Sequence, residues 1–202
     1  MATLIGPSAC KGECLAKSGN LDQALETYNL LVRQNKKNVW HLFALTQIGS
    51  VHSIRGEHDK AEIAFKRVLE DFPNHPLFYQ AALQLGNVNF SKKNVVEAVH
   101  YYSIVLKGNI LELFGQAYFS LGEIFYQQGK FEKALQNFET AMRYLEGTSS
   151  WFFLTHLEIG NLQRRGGKYE EAKKSYLIIV DQSKDEDMKK AARELLSRME
   201  SR

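Results

Sequence analysis

The chain has 202 residues, of which 44% are hydrophobic, 24% are charged and only 3 are proline. This composition is typical of a folded globular protein and argues against a long disordered tract. Lysine and arginine number 26 against 23 acidic residues, which gives a formal net charge of +3. That charge is far below what phosphate neutralisation requires of most nucleic-acid-binding proteins, so we expect no nucleic-acid partner.

The beginning of the chain and its cysteines give no sign of export. Residues 1–11 contain neither the basic stretch nor the apolar stretch of a secretory leader. No segment approaches the roughly 18 consecutive apolar residues of a membrane helix, so no membrane insertion is expected. No second ligand pair follows Cys10 and Cys14, which favours reduced thiols over a metal site or a disulfide. We expect a cytoplasmic protein, with the periplasm as the alternative if a leader has been removed.

Residues 1–8 are predicted to be a flexible segment, and from residue 9 onward one pattern occurs five times. Its glycines follow each other in steps of 37, 37, 36 and 38 residues: Gly12, Gly49, Gly86, Gly122 and Gly160. An alanine stands twelve residues after each of these glycines, and an aromatic residue four after each alanine: Ala24, Ala61, Ala98, Ala134, Ala172 and Tyr28, Phe65, Tyr102, Phe138, Tyr176. A repeat of this regularity predicts a stacked array of identical structural units.

Each repeat is predicted to be an antiparallel pair of helices. A glycine in one helix and an alanine in the next allow the helices to approach closely, and the aromatic side chain fills the adjacent gap. Seven residues past the first glycine, Gly19, Gly56, Gly129 and Gly167 provide the left-handed backbone that ends the first helix, whereas repeat three has Lys93 there. The predicted repeats cover about residues 9–38, 39–75, 76–110, 111–149 and 150–181.

This pattern resembles that of the tetratricopeptide repeat family, and it is visible in LGEIFYQQGKFEKALQNF, residues 121–138. The resemblance covers about residues 9–181. It implies an all-α fold, an α-solenoid of antiparallel helix pairs stacked into a right-handed superhelix. The period exceeds the customary length of about 34 residues. Residues 71–90 are similar to the longer repeats that bacterial envelope-assembly members of the family carry.

Residues 182–202 are predicted to form a C-terminal capping helix. Ser183 and Glu186 have the spacing of a capping box. One apolar stripe follows them: Met188, Ala191, Ala192, Leu195, Leu196 and Met199. The first repeat has no such cap in front of it, and its exposed apolar edge suggests self-association or a longer parent protein as hypotheses.

The sequence contains no pattern that predicts catalysis. None of its six histidines lies three or four residues from another, as a helical metal pair would require. There is no HExxH motif and no cysteine cluster, and the glycines are accounted for by the repeat register rather than by a phosphate-binding loop. We therefore expect a protein that is not an enzyme and that has no cofactor and no metal.

The resemblance implies that the first helix of each pair lines a concave groove, which holds an extended or helical peptide segment of a protein partner. Matching the register residue by residue gives these candidates: Gln47, Ser50, Gln84, Asn87, Phe90, Phe119, Glu123, Tyr126, Leu157, Asn161 and Arg164. Amides in this set suit a peptide backbone, and Phe90, Phe119 and Tyr126 are expected to form flat apolar pockets. Repeats two and three lack the basic residues of a carboxylate clamp, which disfavours that partner class, although Arg164 and Arg165 can still meet an acidic end.

Two functions remain open at this stage. The first is an interaction module, an adaptor or scaffold that binds a partner's peptide in the groove. The second is a structural scaffold that forms a homo-oligomer through its uncapped first repeat. Polar groove residues alone do not decide between them, because any solvated surface carries polar groups. Solution mass distinguishes them, since the adaptor predicts a monomer.

Overall fold

The computed structural model describes residues 7–34 and 37–200, and it divides into two compact units, residues 1–105 and 106–202. The regular structure of the described residues is entirely helical, which confirms the predicted all-α class. The helices are α1 (Pro7–Lys17), α2 (Leu21–Gln34), α3 (Val39–Ile54), α4 (His58–Asp71), α5 (Leu77–Ser91), α6 (Val95–Leu106), α7 (Phe114–Gln127), α8 (Phe131–Ala141), α9 (Ser150–Arg165), α10 (Tyr169–Gln182) and α11 (Glu186–Glu200). A single 3-10 turn, Leu111–Leu113, precedes α7.

The helices pack as consecutive hairpins within each unit. In the first unit α1 packs on α2 and α3 on α4, and contacts between α2 and α3 and between α4 and α5 join each hairpin to the next. In the second unit α7 packs on α8 and α9 on α10, α8 contacts α9, and α11 covers α10. Each unit therefore builds its core from contacts between neighbouring helices, as expected of stacked helix pairs.

The repeat glycines receive the aromatic rings of the second helices. At Gly49 an added Cβ would lie 2.6 Å from the Phe65 ring, and at Gly122 an added Cβ would lie 2.6 Å from the Phe138 ring. Phe65 and Phe138 are at most 1% exposed. The predicted role of the glycines is therefore refined, because the ring lies directly on the glycine instead of filling a gap beside it.

The turn that ends each first helix has the same hydrogen bonds in all five hairpins. In repeat four, for example, the Gly129 N–H donates to the Tyr126 carbonyl and the Lys130 N–H to the Phe125 carbonyl, which is a Schellman motif. Lys93 makes the equivalent bond to the Phe90 carbonyl with a φ of 64°. The turn is therefore kept in repeat three although the residue is not glycine.

Ion pairs link the ends of successive hairpins in the first unit. The Arg55 guanidinium lies 2.6 Å from the Asp22 carboxylate. In the next hairpin the Lys92 ammonium lies 2.7 Å from Asp59 and 2.8 Å from Glu62. The hydrogen bond from Lys92 lowers the pKa of Asp59, and the same bond raises the pKa of Lys92. Asp22 and Asp59 are largely exposed, so their pairs contribute little energy each, but the basic side chains cover the surface between adjacent hairpins.

One helix boundary and one helix cap differ from the sequence predictions. Helix α1 begins at Pro7, so the last two residues of the segment predicted to be flexible are helical, and residues 1–6 lie outside the described part. The predicted capping box of Ser183 and Glu186 is wrong. Asp185 caps α11, because its Oδ1 accepts the backbone N–H groups of Asp187 and Met188, and the Ser183 hydroxyl instead accepts the N–H of Asp185. Asp185 is a favourable cap because its negative charge is stabilised by the positive end of the helix dipole.

Candidate functional site

The surface that carries the predicted site residues is formed by the first helices of the hairpins. In the first unit α1 contacts α3, and in the second unit α7 contacts α9, so these two pairs of first helices are neighbours. The predicted residues stand two before, one after and four after the repeat glycine on these helices, with Phe119 and Leu157 three before it. The positions two before, one after and four after the glycine share one side of a helix, and we call this surface the first-helix face.

In the first unit the two glutamines of this face have free side chains. Gln47 on α3 and Gln84 on α5 are half-buried, and neither side chain forms a hydrogen bond to any residue that the structure describes. The Ser50 hydroxyl instead donates to the Thr46 carbonyl of its own helix, 3.0 Å away. Phe90 is half-buried. The Gln47 and Gln84 amides are therefore polar groups of this face that remain available to a ligand.

The asparagines of the face are used inside their own hairpins. The Tyr102 hydroxyl donates to Asn87 Oδ1 over 2.8 Å, and in the second unit the Tyr176 hydroxyl donates to Asn161 Oδ1 over 3.0 Å. Both tyrosines are fully buried, so their hydroxyls need such a partner. Each amide oxygen therefore already accepts one hydrogen bond inside its own hairpin, and binding of a ligand by these asparagines stays a prediction.

Phe119 also departs from its predicted role. It was expected to form a flat apolar pocket on the groove, but only 5% of its surface is exposed. Its ring packs 5.3 Å from the Phe138 ring and 5.2 Å from the Trp151 ring, centroid to centroid. Phe119 stands three residues before the repeat glycine, on the side of α7 that faces α8 and α9, and it is a core residue.

The face of the second unit carries two carboxyl groups in an unfavourable environment. Burial raises the pKa of Glu123 on α7, and the charge of Glu158 on α9 raises it further. Burial also raises the pKa of Glu158, although a hydrogen bond from Asn161 lowers it in part. Neither carboxyl group forms an ion pair with a described residue. A cationic group of a ligand would therefore be stabilised here.

Three further predicted residues lie on the same two first helices, α7 and α9. Tyr126 is 36% exposed, and its ring lies 5.6 Å from the Phe131 ring at the start of α8. Leu157 is half-buried and packs against the core of the second unit. Arg164 lies beside the Tyr176 hydroxyl, where it lowers the tyrosine pKa against the larger effect of burial. The Arg164 Nε is buried without a hydrogen-bond partner among the described residues.

Residues 7–34 and 37–200 contain no group of three or more histidine, cysteine, aspartate or glutamate side chains that could hold a metal ion. Among the helices described above, none has both the length and the apolar character that crossing a membrane requires.

Comparison with known proteins gives consistent matches. Models of the tetratricopeptide repeat match residues 48–109 and 115–147. A TPR repeat-containing protein of Methanocaldococcus jannaschii is 26% identical over 177 residues, which are 85% of this chain and 30% of that relative. The chain thus spans less than a third of the relative's length.

Solved structures show the same fold. PilF of Pseudomonas aeruginosa superposes with a TM-score of 0.74 at 16% identity, over 88% of this chain and 76% of PilF. YrrB, a TPR protein with an unusual peptide-binding site, superposes with a TM-score of 0.59 at 17% identity, over 94% of this chain and 92% of YrrB. At these identities the likeness concerns the fold, and the binding site is a property of YrrB.

Proposed function

Because the chain belongs to the tetratricopeptide repeat family and acts as a protein–protein interaction module, we propose that it binds an extended or helical peptide segment of its partner on the first-helix face, in the concave groove. Members of this family are generally scaffolds without catalytic activity. The proposal makes the chain an adaptor whose specificity depends on side chains of the first helices.

The observation that carries the proposal is the pair of free glutamines in the first unit. Gln47 and Gln84 occupy the same register, 37 residues apart, on successive first helices. Each half-buried amide has a donor and an acceptor that no described residue satisfies. A peptide backbone offers the complementary N–H and C=O groups at regular spacing, and pairing removes the cost of partly desolvated amides. The peptide-binding site of YrrB shows that this fold supports such a function in another protein.

The test is a binding experiment with the Gln47→Ala/Gln84→Ala double variant. Random peptides displayed on phage are enriched on the unmodified chain, and the best binder is synthesised and titrated by calorimetry. We expect the double variant to bind this peptide about thirtyfold more weakly, since two hydrogen bonds of about 1 kcal/mol each are lost. The control is Gln23→Ala/Gln80→Ala, which removes two exposed glutamines of the same unit. Equal affinity of both double variants would refute the assignment of the face.

Self-assembly through the first repeat is the alternative outcome. Light scattering over a concentration series distinguishes it, because the adaptor predicts a monomer of 23.1 kDa at every concentration. A mass that increases with concentration would favour assembly between copies and would replace the adaptor proposal.

A further inference from the structure

The edge where successive hairpins meet has a regular construction in the first unit. At each junction, the residue six positions after the repeat glycine lies at the end of the first helix. Its side chain forms an ion pair with an acidic residue of the preceding hairpin, which stands ten positions after that hairpin's repeat glycine. Arg55 pairs in this way with Asp22, and Lys92 pairs with Asp59. The partners of each pair are 33 residues apart. A basic side chain therefore covers the surface between the two hairpins at both junctions.

The same position in the second unit is Gly166, between the hairpins α7–α8 and α9–α10. Its backbone has φ −81° and ψ 5°, close to −78° and −4° at Arg55 and −75° and −2° at Lys92. This conformation suits any residue, so glycine is not required for the turn. Space does not require it either, because an added Cβ would meet its nearest atoms at 3.5 and 3.6 Å, ordinary contact distances.

The missing side chain leaves the junction open. Glu132 stands where Asp22 and Asp59 stand in the first unit, and it forms no ion pair with any residue between Ser8 and Met199 that the structure describes. A pocket of about 360 Å³ lies at this place. Its apolar lining comes from Phe131 and Leu135 of α8 and Leu162 of α9. We call it the edge pocket.

Cationic side chains surround the edge pocket. Arg165 lies over the Phe131 ring, with its guanidinium carbon 4.1 Å from the ring centroid. Lys168 completes the rim. The residues that line the pocket include two basic ones, Arg165 and Lys168, and a single acidic one, Glu132. The local field therefore favours an anionic ligand, even though one carboxylate belongs to the rim.

We propose that the edge pocket docks an acidic peptide segment of a protein partner, which inserts one large apolar side chain between Phe131, Leu135 and Leu162. Carboxylates on either side of that side chain bind Arg165 and Lys168 at the rim. The apolar anchor supplies the affinity and the charges supply selection and orientation, as at other interfaces with a small buried centre. The edge pocket is lined by residues that do not belong to the first-helix face, so this proposal does not depend on the groove proposal.

Amide-detected NMR titration of the labelled chain tests the proposal directly. The probe is an end-blocked heptapeptide with leucine at its centre and three aspartate or glutamate residues on each side. We expect it to shift the amide signals of residues 131–135 and 163–168. Two matched peptides, one with serine at the centre and one with lysines in place of the acids, are each expected to bind at least about tenfold more weakly.

The decisive variant is Gly166→Arg, which restores the residue type that closes the two junctions of the first unit. Its side chain is expected to pair with Glu132, fill the edge pocket and weaken binding of the acidic leucine peptide by more than about tenfold. The matched control is Gly147→Arg, because Gly147 is exposed and an added Cβ would meet no atom within 4 Å. The control adds the same charge to the same unit and should bind as the unmodified chain does.

Three results would overturn the proposal. The first is the absence of shifts at these amides at millimolar peptide. The second is equal binding of the acidic and lysine peptides. The third is unchanged binding by Gly166→Arg when its amide spectrum retains the dispersion of the folded chain. Shifts confined to the amides around Glu123 and Glu158 would count against the edge pocket while leaving the groove proposal intact.

Discussion

Replacing Tyr28 by phenylalanine is expected to stabilise the first unit. Tyr28 is fully buried, and its hydroxyl has no hydrogen-bond partner among the described residues. The position that holds Asn87 beside Tyr102 and Asn161 beside Tyr176 is here occupied by Glu13. Burial raises the pKa of Tyr28 to about 12, and the charge of Glu13 adds to that effect. The hydroxyl is thus neutral at pH 7, and its burial is not compensated by a bond.

The size of the effect follows from the cost of burying a hydroxyl. In mutational data an unpaired buried hydroxyl costs about 1–3 kcal/mol. Because the pocket relaxes when the oxygen is removed, we expect Tyr28→Phe to raise the free energy of unfolding by about 1 kcal/mol. Tyr176→Phe should lower it by about 1 kcal/mol, because it removes the bond to Asn161 and leaves that amide oxygen unpaired. The same chemical change therefore has opposite signs at two equivalent positions.

Urea denaturation at pH 7 measures both variants. Trp40 packs in the cluster that contains Tyr28, whereas Trp151 belongs to the second unit. A Trp151→Phe background thus lets tryptophan fluorescence report on the first unit alone, and circular dichroism follows the whole chain. The comparison requires equal m-values, because units of a repeat protein can unfold separately. A loss of stability in Tyr28→Phe equal to that in Tyr176→Phe would refute the reasoning.

Glu13→Asn provides an independent check. An asparagine at this position is expected to accept the Tyr28 hydroxyl as Asn87 and Asn161 accept theirs, which should stabilise the chain by about 0.5–1 kcal/mol. In a Tyr28→Phe background the same substitution should have no stabilising effect, since no hydroxyl remains to be paired. Equal effects in both backgrounds would show that the asparagine acts in another way.

Three further substitutions test the repeat and the first-helix face. Gly49→Ala should cost about 2–3 kcal/mol in urea denaturation, and clearly less in a Phe65→Leu background, because the new Cβ would lie 2.6 Å from the ring. Lys93→Gly should raise the denaturation midpoint by an equivalent of about 0.5–1 kcal/mol, since only glycine adopts its left-handed φ of 64° without strain. For Glu123 the folded pKa lies above the unfolded value of 4.5, so stability falls as pH rises from about 4.5 through the folded pKa. Glu123→Gln should flatten that decline and add less than about 1 kcal/mol at pH 7, after allowance for solvent screening.

The repeat and its helix pairs could be predicted from the sequence because they depend on local rules. Gly122, Ala134 and Phe138 keep a fixed spacing, since the ring of one helix must lie on the glycine of the other. At Lys93 the sequence departs from the glycine pattern, yet the structure keeps the same turn hydrogen bonds. The N-cap of α11 was missed because Asp185 and Ser183 are both good caps, and sequence alone does not show which one the backbone presents to the helix.

The candidate site was less predictable because a position in the repeat determines the direction in which a side chain points but not the residue that it contacts. Asn87 stands at a position of the first-helix face, but its oxygen binds Tyr102, which is 15 residues away. The sequence contained one signal of this pairing. Asparagine follows the repeat glycine in two of the three repeats whose aromatic residue is tyrosine, and the repeat of Tyr28 is the exception. The edge pocket had a signal too, in the loss of the basic residue at Gly166. That loss has meaning only once the ion pairs of the first unit are known.

The two proposed surfaces of the second unit meet at one aromatic contact, which determines how they must be separated experimentally. Tyr126 belongs to the first-helix face, and its ring packs 5.6 Å from that of Phe131, which lines the edge pocket. Truncating either ring would disturb both surfaces, so neither is a suitable diagnostic. Glu123 and Gly166 are suitable, because each changes one surface without removing the shared rings. If a partner uses both surfaces at once, the effects of Glu123→Gln and Gly166→Arg on its affinity should not be additive, since the peptide must pass over this contact. Additive effects would instead indicate two independent sites.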